Sequence, residues 1–409
     1  MLYTIDINRT QMITLRPHQE RIINRLKKYD KGSIIVPTGG GKTLTMIMDA
    51  KSSMDRCNTG VTTVVVAPRI LLAEQLCSEF MEVIDPNNSD PYLHVMHVHS
   101  GETHFTSTTK AEKIHLYANC ARTMGENVII FTTYNSLHRI MEADIEVNNI
   151  YFDEAHNSVK KNFFPATEFF AENADRCYFY TATRKTSVTI NKPGMNDREV
   201  YGDIIARVSA PELVEGGYIV APKIKVIEMD KVDKKSLTPH LESNNILSTI
   251  DELSINKVLV CAKTTKQLVM LFQTDFAAEL AQRGYSYLFI TAKTGAIIDG
   301  KKVSRQEFFD TLNAWGRDSS KKFVCLHRSI LSEGINISQL EGVIFMRNMD
   351  AIEMTQSVGR VLRLANNKTF GFCCVPVYSQ VGVSTARALR TVIDTVFEKG
   401  EMLDSVVRR

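Results

Sequence analysis

Short apolar runs of strand length recur along the first half of the chain: "GSIIVP", "TTVVVAP", "NVIIFTT", "NNIYFDE" and "RCYFYTA". They are rich in β-branched and aromatic residues and close on polar or small ones. Helical periodicity fills the gaps; in "HQERIINRLKKY", Ile22, Ile23, Leu26 and Tyr29 fall on one helical stripe. Strands alternating with helices predict a mostly parallel sheet covered by helices on both faces. In such sheets ligands bind beyond the carboxyl ends of the strands.

The rhythm breaks between about Thr186 and Pro222, where "NKPGMNDREVYGD" and "EGGYIVAP" supply Gly, Pro and Asn punctuation. It restarts with "KIKVIEM", "NKVLVCA", "SYLFITA", "KKFVCLH", "EGVIFMR" and "TFGFCCVPVY" as strands, with a helix predicted over "TTKQLVMLFQTDFAAELAQR" and a last one over about Ala386 to Glu398. The fold class is α/β with two tandem sheet domains, residues 1–220 and 221–409, meeting near Val220.

A length of 409 residues with 44% apolar content suffices for two cores. The start, "MLYTIDINRT", has no signal-peptide pattern, and no apolar run reaches about 18 residues, so a cytoplasmic protein without a membrane segment is expected. The eight cysteines show no CxxC pair, as expected for reduced thiols. A net charge of +3 permits a nucleic-acid partner without establishing one.

"IIVPTGGGKTLT" changes the picture. A glycine-rich turn between strand and helix presents backbone N–H groups at the positive end of a helix dipole, which suits a polyphosphate. Lys42 adds a cation for the β and γ phosphates, and the Thr43 hydroxyl can ligate Mg²⁺. "IYF" is followed by Asp153, Glu154, Ala155 and His156, two carboxylates at a strand end: Asp153 to hold Mg²⁺, Glu154 to polarise an attacking water. "QSVGRVLR" puts Arg360 and Arg363 at i and i+3, on one face of a helix, where cations could meet a γ phosphate. "HVMHVHSGETH" raises a rival: His97 and His99 share a strand face at a spacing that zinc ligands use.

Taken in order, these segments resemble a superfamily 2 helicase of the DEAH type across nearly the whole chain. "LRPHQ", with Arg16 and Gln19, resembles the adenine-recognising segment. "PTGGGKT" resembles the first motif, implying nucleotide contacts from Thr38, Gly39, Gly40, Gly41, Lys42, Thr43 and Leu44; the family tolerates Val36 where a strict phosphate loop has Gly. "APRILLAEQ" and "TTYNSL" resemble strand-binding motifs and, with "CAKTTKQ", imply backbone contacts from Arg69, Thr132, Thr133, Asn135, Lys263, Thr264 and Thr265. "DEAH" and "TAT" resemble metal and coupling motifs, with His156, Thr181 and Thr183 in the coupling role. "LSEGINI" implies ribose contacts from Gly334 and Asn336, Asn336 standing where relatives commonly carry Asp; "QSVGRVLR" implies catalytic roles for Gln356, Arg360 and Arg363.

"SAPELVEGGYIVAPKI" and "ITAKTGAIIDGKKVSRQEFFDTL" resemble the branch holding the phage recombination helicase UvsW, the RadD-like proteins and the motors of type I and type III restriction enzymes. The resemblance implies two tandem RecA-like domains, ATP and Mg²⁺ as cofactors, and branched or duplex DNA, more than RNA, as partner. It also implies 3′ to 5′ movement in recombination or repair by a phage-encoded monomer served by accessory recombination or replication proteins. The alternative is an ATP-gated motor subunit of a restriction or defence complex, or an RNA helicase.

Overall fold

The computed structural model describes residues 13–406 apart from 58, 102, 104, 190–191, 229–238, 292–293, 329–336, 338, 366–367 and 378–379. Two compact units are present. The first comprises the chain up to Pro37, Gly41–Val208 and the strand beginning at Asp404; the second comprises Thr38–Gly40 and Ser209–Leu403. The division falls at Ser209, ahead of the boundary expected near Val220. Ser209 caps the short helix Ala210–Glu215 by accepting from Glu212 N (3.3 Å). Beyond it, Ile219 bridges Arg363 and Val220 N donates to Leu362 O (2.8 Å), which ties the connecting segment to the second unit.

The first unit holds β1 (Lys31–Ile35), β2 (Thr62–Ala67), β3 (Leu93–Val98), β4 (Thr106–Ser107), β5 (Asn127–Thr133), β6 (Asn149–Phe152), β7 (Arg176–Thr181), β8 (Arg184–Thr186) and β9 (Ile204–Arg207). Its main sheet runs β4-β3-β5-β2-β6-β7-β1-β9, every neighbouring pair parallel. Strands β2 and β6 are buried at every position, which is why their sequences run apolar without alternation. Val64, Val66, Ile130, Phe152 and Phe179 lie in one core cluster. Because all these strands run the same way, the loops after β2, β5, β6 and β7 leave at one edge of the sheet.

The second unit holds β10 (Ala221–Glu228), β11 (Lys257–Cys261), β12 (Ser286–Thr291), β13 (Gly295–Ile298), β14 (Lys301–Val303), β15 (Phe323–His327), β16 (Gly342–Phe345) and β17 (Phe370–Val377), in the order β10-β17-β16-β11-β15-β12-β13-β14. Pairing is parallel from β10 to β12 and antiparallel at β13 and β14. Strand β18 (Asp404–Val406) belongs to the first unit and pairs with β8. Each sheet carries helices between its strands, so the architecture is α/β with two tandem RecA-like domains.

Three local outcomes differ from the sequence expectation. The long helix over Thr264 to Arg283 breaks into Thr265–Leu271 and Phe276–Gln282. Thr274 causes the break: its hydroxyl donates to Leu271 O (2.6 Å) and accepts from Phe276 N (3.2 Å), offering the backbone a local alternative to the helical ladder. The hairpin β13–β14 turns at Asp299-Gly300, both at positive φ (+43° and +82°), as a primed turn demands. The last helix is longer than expected, running Gln380–Val392 and then widening to a π-helical turn over Ile393–Glu398. Among the described residues no helix is long and apolar enough to cross a membrane.

Candidate nucleotide site

The helix Lys42–Arg56 begins on Gly41, whose φ of +78° is left-handed. Glycine suits that conformation, and a Cβ there would also press on the Gln19 amide at the tip of its side chain. That amide donates to Gly41 O (3.3 Å), while Gln19 Oε1 accepts from Arg16 N (2.9 Å). The "LRPHQ" segment is thereby fastened to the loop that precedes the helix. Lys42, Thr43 and Leu44 are half-buried in the first helical turn, where unpaired N–H groups and the dipole favour an anion.

Asp153 and Glu154 follow β6, with Asp153 N donating to Val66 O (2.9 Å). Glu154 Oε1 lies 3.7 Å from Lys42 Nζ, and both side chains are nearly enclosed. Glu154 is held at φ +47°, a left-handed conformation that a non-glycine residue adopts at a cost of about 1 kcal/mol or more. Its other oxygen lies 3.5 Å from His156 Nδ1, which is also 3.1 Å from Thr181 Oγ1. Asn157 Nδ2 approaches His156 Nε2 at 3.3 Å, so Nε2 accepts and Nδ1 carries the proton towards Thr181. Thr181 Oγ1 then donates to Thr183 O (2.7 Å) and accepts from Thr183 N (3.2 Å). A continuous chain of contacts therefore links Lys42, Glu154, His156 and the end of β7.

Burial pushes the Asp153 carboxyl up to about 7, with the neighbouring Glu154 charge adding to the rise and Lys42 opposing it. A buried carboxylate beside a second one is favoured by a divalent cation. Asp153 and the Thr43 hydroxyl are hard oxygen donors of the kind Mg²⁺ takes, so the residues fit the ion.

Two residues on this framework escaped the sequence reading. Tyr134 OH donates to Asp153 O (2.8 Å), and Asn157 Nδ2 donates to Glu154 O (3.1 Å) as well as facing His156. Both sit inside or beside motifs already singled out, "TTYNSL" and "DEAH", and adjacency was the signal available.

In the second unit, Gln356 and Arg360 are buried on the helix Ala351–Val361. Arg363 does not share their helical face. The helix ends at Val361 with Leu362 as its cap, and Arg363 leaves it to bridge Ile219. Gly334 and Asn336 lie outside the described residues.

The strand-contact candidates separate by exposure. Asn135 and Lys263 are exposed, and Arg69 caps the helix Ile70–Ile84 after β2. Thr132 is fully buried and its hydroxyl donates to Val98 O (2.8 Å), so that hydroxyl is committed inside the sheet. Thr133 is buried too, 3.4 Å from Ser136 Oγ. Thr264 accepts from Gln267 N (3.0 Å) as the N-cap of the helix that Thr265 opens, and Lys263 N donates to Gln267 Oε1 (2.7 Å). The histidines of the rival zinc reading pair otherwise: His94 Nε2 with Glu126 Oε2 (2.5 Å) and His97 Nδ1 with His99 Nε2 (2.9 Å), while His104 is outside the described residues. No group of three metal-ligating side chains occurs among the described residues.

Residues 12–185 match the family described as "Type III restriction enzyme, res subunit". Among solved structures, the chain superposes on the ATP-dependent Type ISP restriction-modification enzyme LlaBIII bound to DNA with a TM-score of 0.72 and 17% identity, covering 97% of this chain and 32% of that one. It matches Mss116p bound to ssRNA and AMP-PNP (0.61, 16% identity, 97% of this chain and 75% of that one) and S. cerevisiae Dbp5 bound to RNA and ADP BeF3 (0.61, 15%, 96% and 90%). The chain shares the tandem RecA-like fold of these structures. The chain spans about a third of the length of LlaBIII and of LlaGI (32% and 30%). No curated protein sequence matches the chain.

Proposed function

We propose that this chain is the core of a superfamily 2 helicase, an ATP-driven motor that moves 3′ to 5′ on DNA and remodels branched or duplex substrates, its two RecA-like domains gripping the strand in alternation. The observation that carries the reading is the chain of contacts from Lys42 through Glu154 and His156 to Thr181 and Thr183. It supplies a phosphate cation, a general base and a hydrogen-bonded route from the base to a strand end. Glu154 accepts the proton of the attacking water, and Lys42 stabilises charge on the phosphates. Mg²⁺, held by Thr43 and Asp153, would supply charge neutralisation of the β and γ oxygens. Arg360 and Arg363 serve the γ phosphate as it leaves, an effect worth roughly 10³ to 10⁵ in rate where it has been measured. His156, Thr181 and Thr183 pass the state of the nucleotide to the strand-contact loops.

DNA is favoured over RNA by the match to a restriction-enzyme subunit and by the DNA-bound LlaBIII; the RNA-bound Mss116p and Dbp5 keep RNA as the opposing outcome. The same match supports a second reading, a motor subunit within a restriction or defence complex. Purified protein assayed for ATP turnover and strand displacement on forks, four-way junctions, plain duplex and RNA separates the three. Displacement of branched DNA supports the first, DNA-stimulated turnover without displacement the second, and stimulation by RNA alone overturns both.

A further inference from the structure

Two residues separate the end of β7, where Thr181 sits, from β8, and β8 stands outside the main sheet of the first unit. Its strand partner comes from much later in the sequence. The π-helical turn Ile393–Glu398 is left through Lys399, whose N–H donates to Asp394 O (3.0 Å), and Gly400, left-handed at φ +66°. The chain then extends into β18, which belongs to the first unit and pairs with β8 in parallel register: Asp404 with Arg184, Ser405 with Lys185 and Val406 with Thr186. The two strands form a sheet of their own, and an isolated two-stranded ribbon is marginal in water. Loop contacts hold β8 as well. Met195 N donates to Lys185 O (2.8 Å), and Arg184 Nη2 donates to Met195 O (3.0 Å). The Asn196 amide accepts from Ser187 N (2.7 Å) and donates to Ser187 O (2.9 Å). The contacts that start at Lys42 run to Thr181 and Thr183, and Thr183 is the residue before β8.

We propose that β18 is a positioning strand for coupling: by pairing with β8 it fixes where the backbone leaves Thr183, so that a change at Glu154 and His156 is passed on to the strand-contact loops and not absorbed by β8. The inference rests on the motor reading above and adds to it a segment outside every motif. Coupling is carried by elements with defined arrangements, and a three-residue strand without its ladder partner has none of its own. The constraint comes from backbone groups, so the side chains of β18 are free to be polar. Asp404 is exposed and Ser405 half-buried. The Asp404 carboxylate lies 3.9 Å from Arg184 Nη1 and is open to solvent, so the ion pair adds little to what the ladder provides.

The test uses Asp404→Pro and Ser405→Pro, singly and together, in the full chain. Successive N–H groups of a strand point to opposite sides, so the double variant removes the donor that faces β8, and one of the single variants serves as its control. ATP turnover is measured without nucleic acid and with saturating DNA or RNA, and ATP affinity by titration with a nonhydrolysable analogue. The double variant should keep basal turnover and affinity within about twofold of wild type and lose about fivefold or more of the stimulation by nucleic acid, the scale of a coupling between sites. One single variant should reproduce the loss and the other should not. A segment that merely stabilises the unit would lower basal and stimulated turnover together. Circular dichroism verifies folding; if the double variant does not fold, the single variants decide. Stimulation within about twofold of wild type, or an equal fall in both rates, overturns the proposal. Lys42→Ala runs beside them. A dead Lys42→Ala with normal stimulation in the proline variants refutes the role of β18 alone. Turnover that survives in Lys42→Ala, or a wild type that no nucleic acid stimulates, removes the motor reading and the role of β18 with it.

Discussion

Removing Asp49 should unfold the first unit at markedly lower denaturant. Asp49 sits on the helix that Lys42 opens, 1% exposed, and accepts from Tyr151 OH (2.6 Å) and Arg176 Nη2 (2.9 Å). Arg176 spends its other donors on Tyr178 OH, Asn149 Oδ1 and Leu26 O, all neutral. In Asp49→Ala the guanidinium is left nearly enclosed with no counter-charge, and breaking a buried pair from one side costs about 3–5 kcal/mol. Arg176 keeps 16% side-chain exposure and three neutral acceptors, which argues for the low end. Tyr151 OH loses its acceptor as well, about 1 kcal/mol more. The sum is about 4 kcal/mol, which for a unit of this size lowers Tm by roughly 8–16 °C.

The sole tryptophan, Trp315, lies in the second unit, so its fluorescence does not report this transition. Urea unfolding followed by tyrosine near-UV circular dichroism and by calorimetry does. The double variant Asp49→Leu, Arg176→Met removes both charges at once and should recover much of the loss, because the cost lies in the orphaned charge more than in the missing attraction. A loss below about 1 kcal/mol in Asp49→Ala, or a double variant as unstable as the single one, would refute the reasoning.

Glu154→Gln should cut DNA-stimulated phosphate release by about 10² to 10⁴ while leaving ATP binding measurable by titration, and unaltered release would exclude Glu154 as the base. Arg69→Ala should weaken DNA binding at every sequence and lower the salt slope by about one, whereas Thr132→Ala should leave binding in place because its hydroxyl serves Val98 O. His327, buried at the end of β15, is held down to about 3, chiefly by burial and then by the Arg360 and Arg347 charges. A folded-state value below the unfolded one means stability present above about pH 6.5 and lost as pH falls towards 3, amounting to about 2 kcal/mol by pH 5. Trp315 fluorescence during urea unfolding at pH 7 and pH 5 measures this, and His327→Gln should flatten the difference.

The parallel sheets were legible because strands buried on both faces have to be written as continuous apolar runs, and β2 and β6 are. The glycine-rich turn before the helix Lys42–Arg56 was legible because left-handed backbone needs glycine, and glycine shows in the sequence. What stayed hidden depended on a single hydroxyl or ammonium choosing a partner. Thr274 stops a helix that its periodicity would continue, and Thr132 turns inward to Val98 although its motif places it beside the strand-contact loop.

Arg363 shows why spacing alone misleads at helix ends. An i, i+3 interval puts two arginines on one face only while the helix lasts, and here the ladder stops at Val361. Beyond that point the direction of Arg363 is set by what holds its backbone, the bridge to Ile219 and the Lys368 ammonium at its carbonyl. A motif therefore names residue types at a spacing, while contacts outside it decide how the backbone that carries them runs. Lys368, whose ammonium also donates to Leu340 O (2.5 Å), is such a contact, and it lies outside every motif.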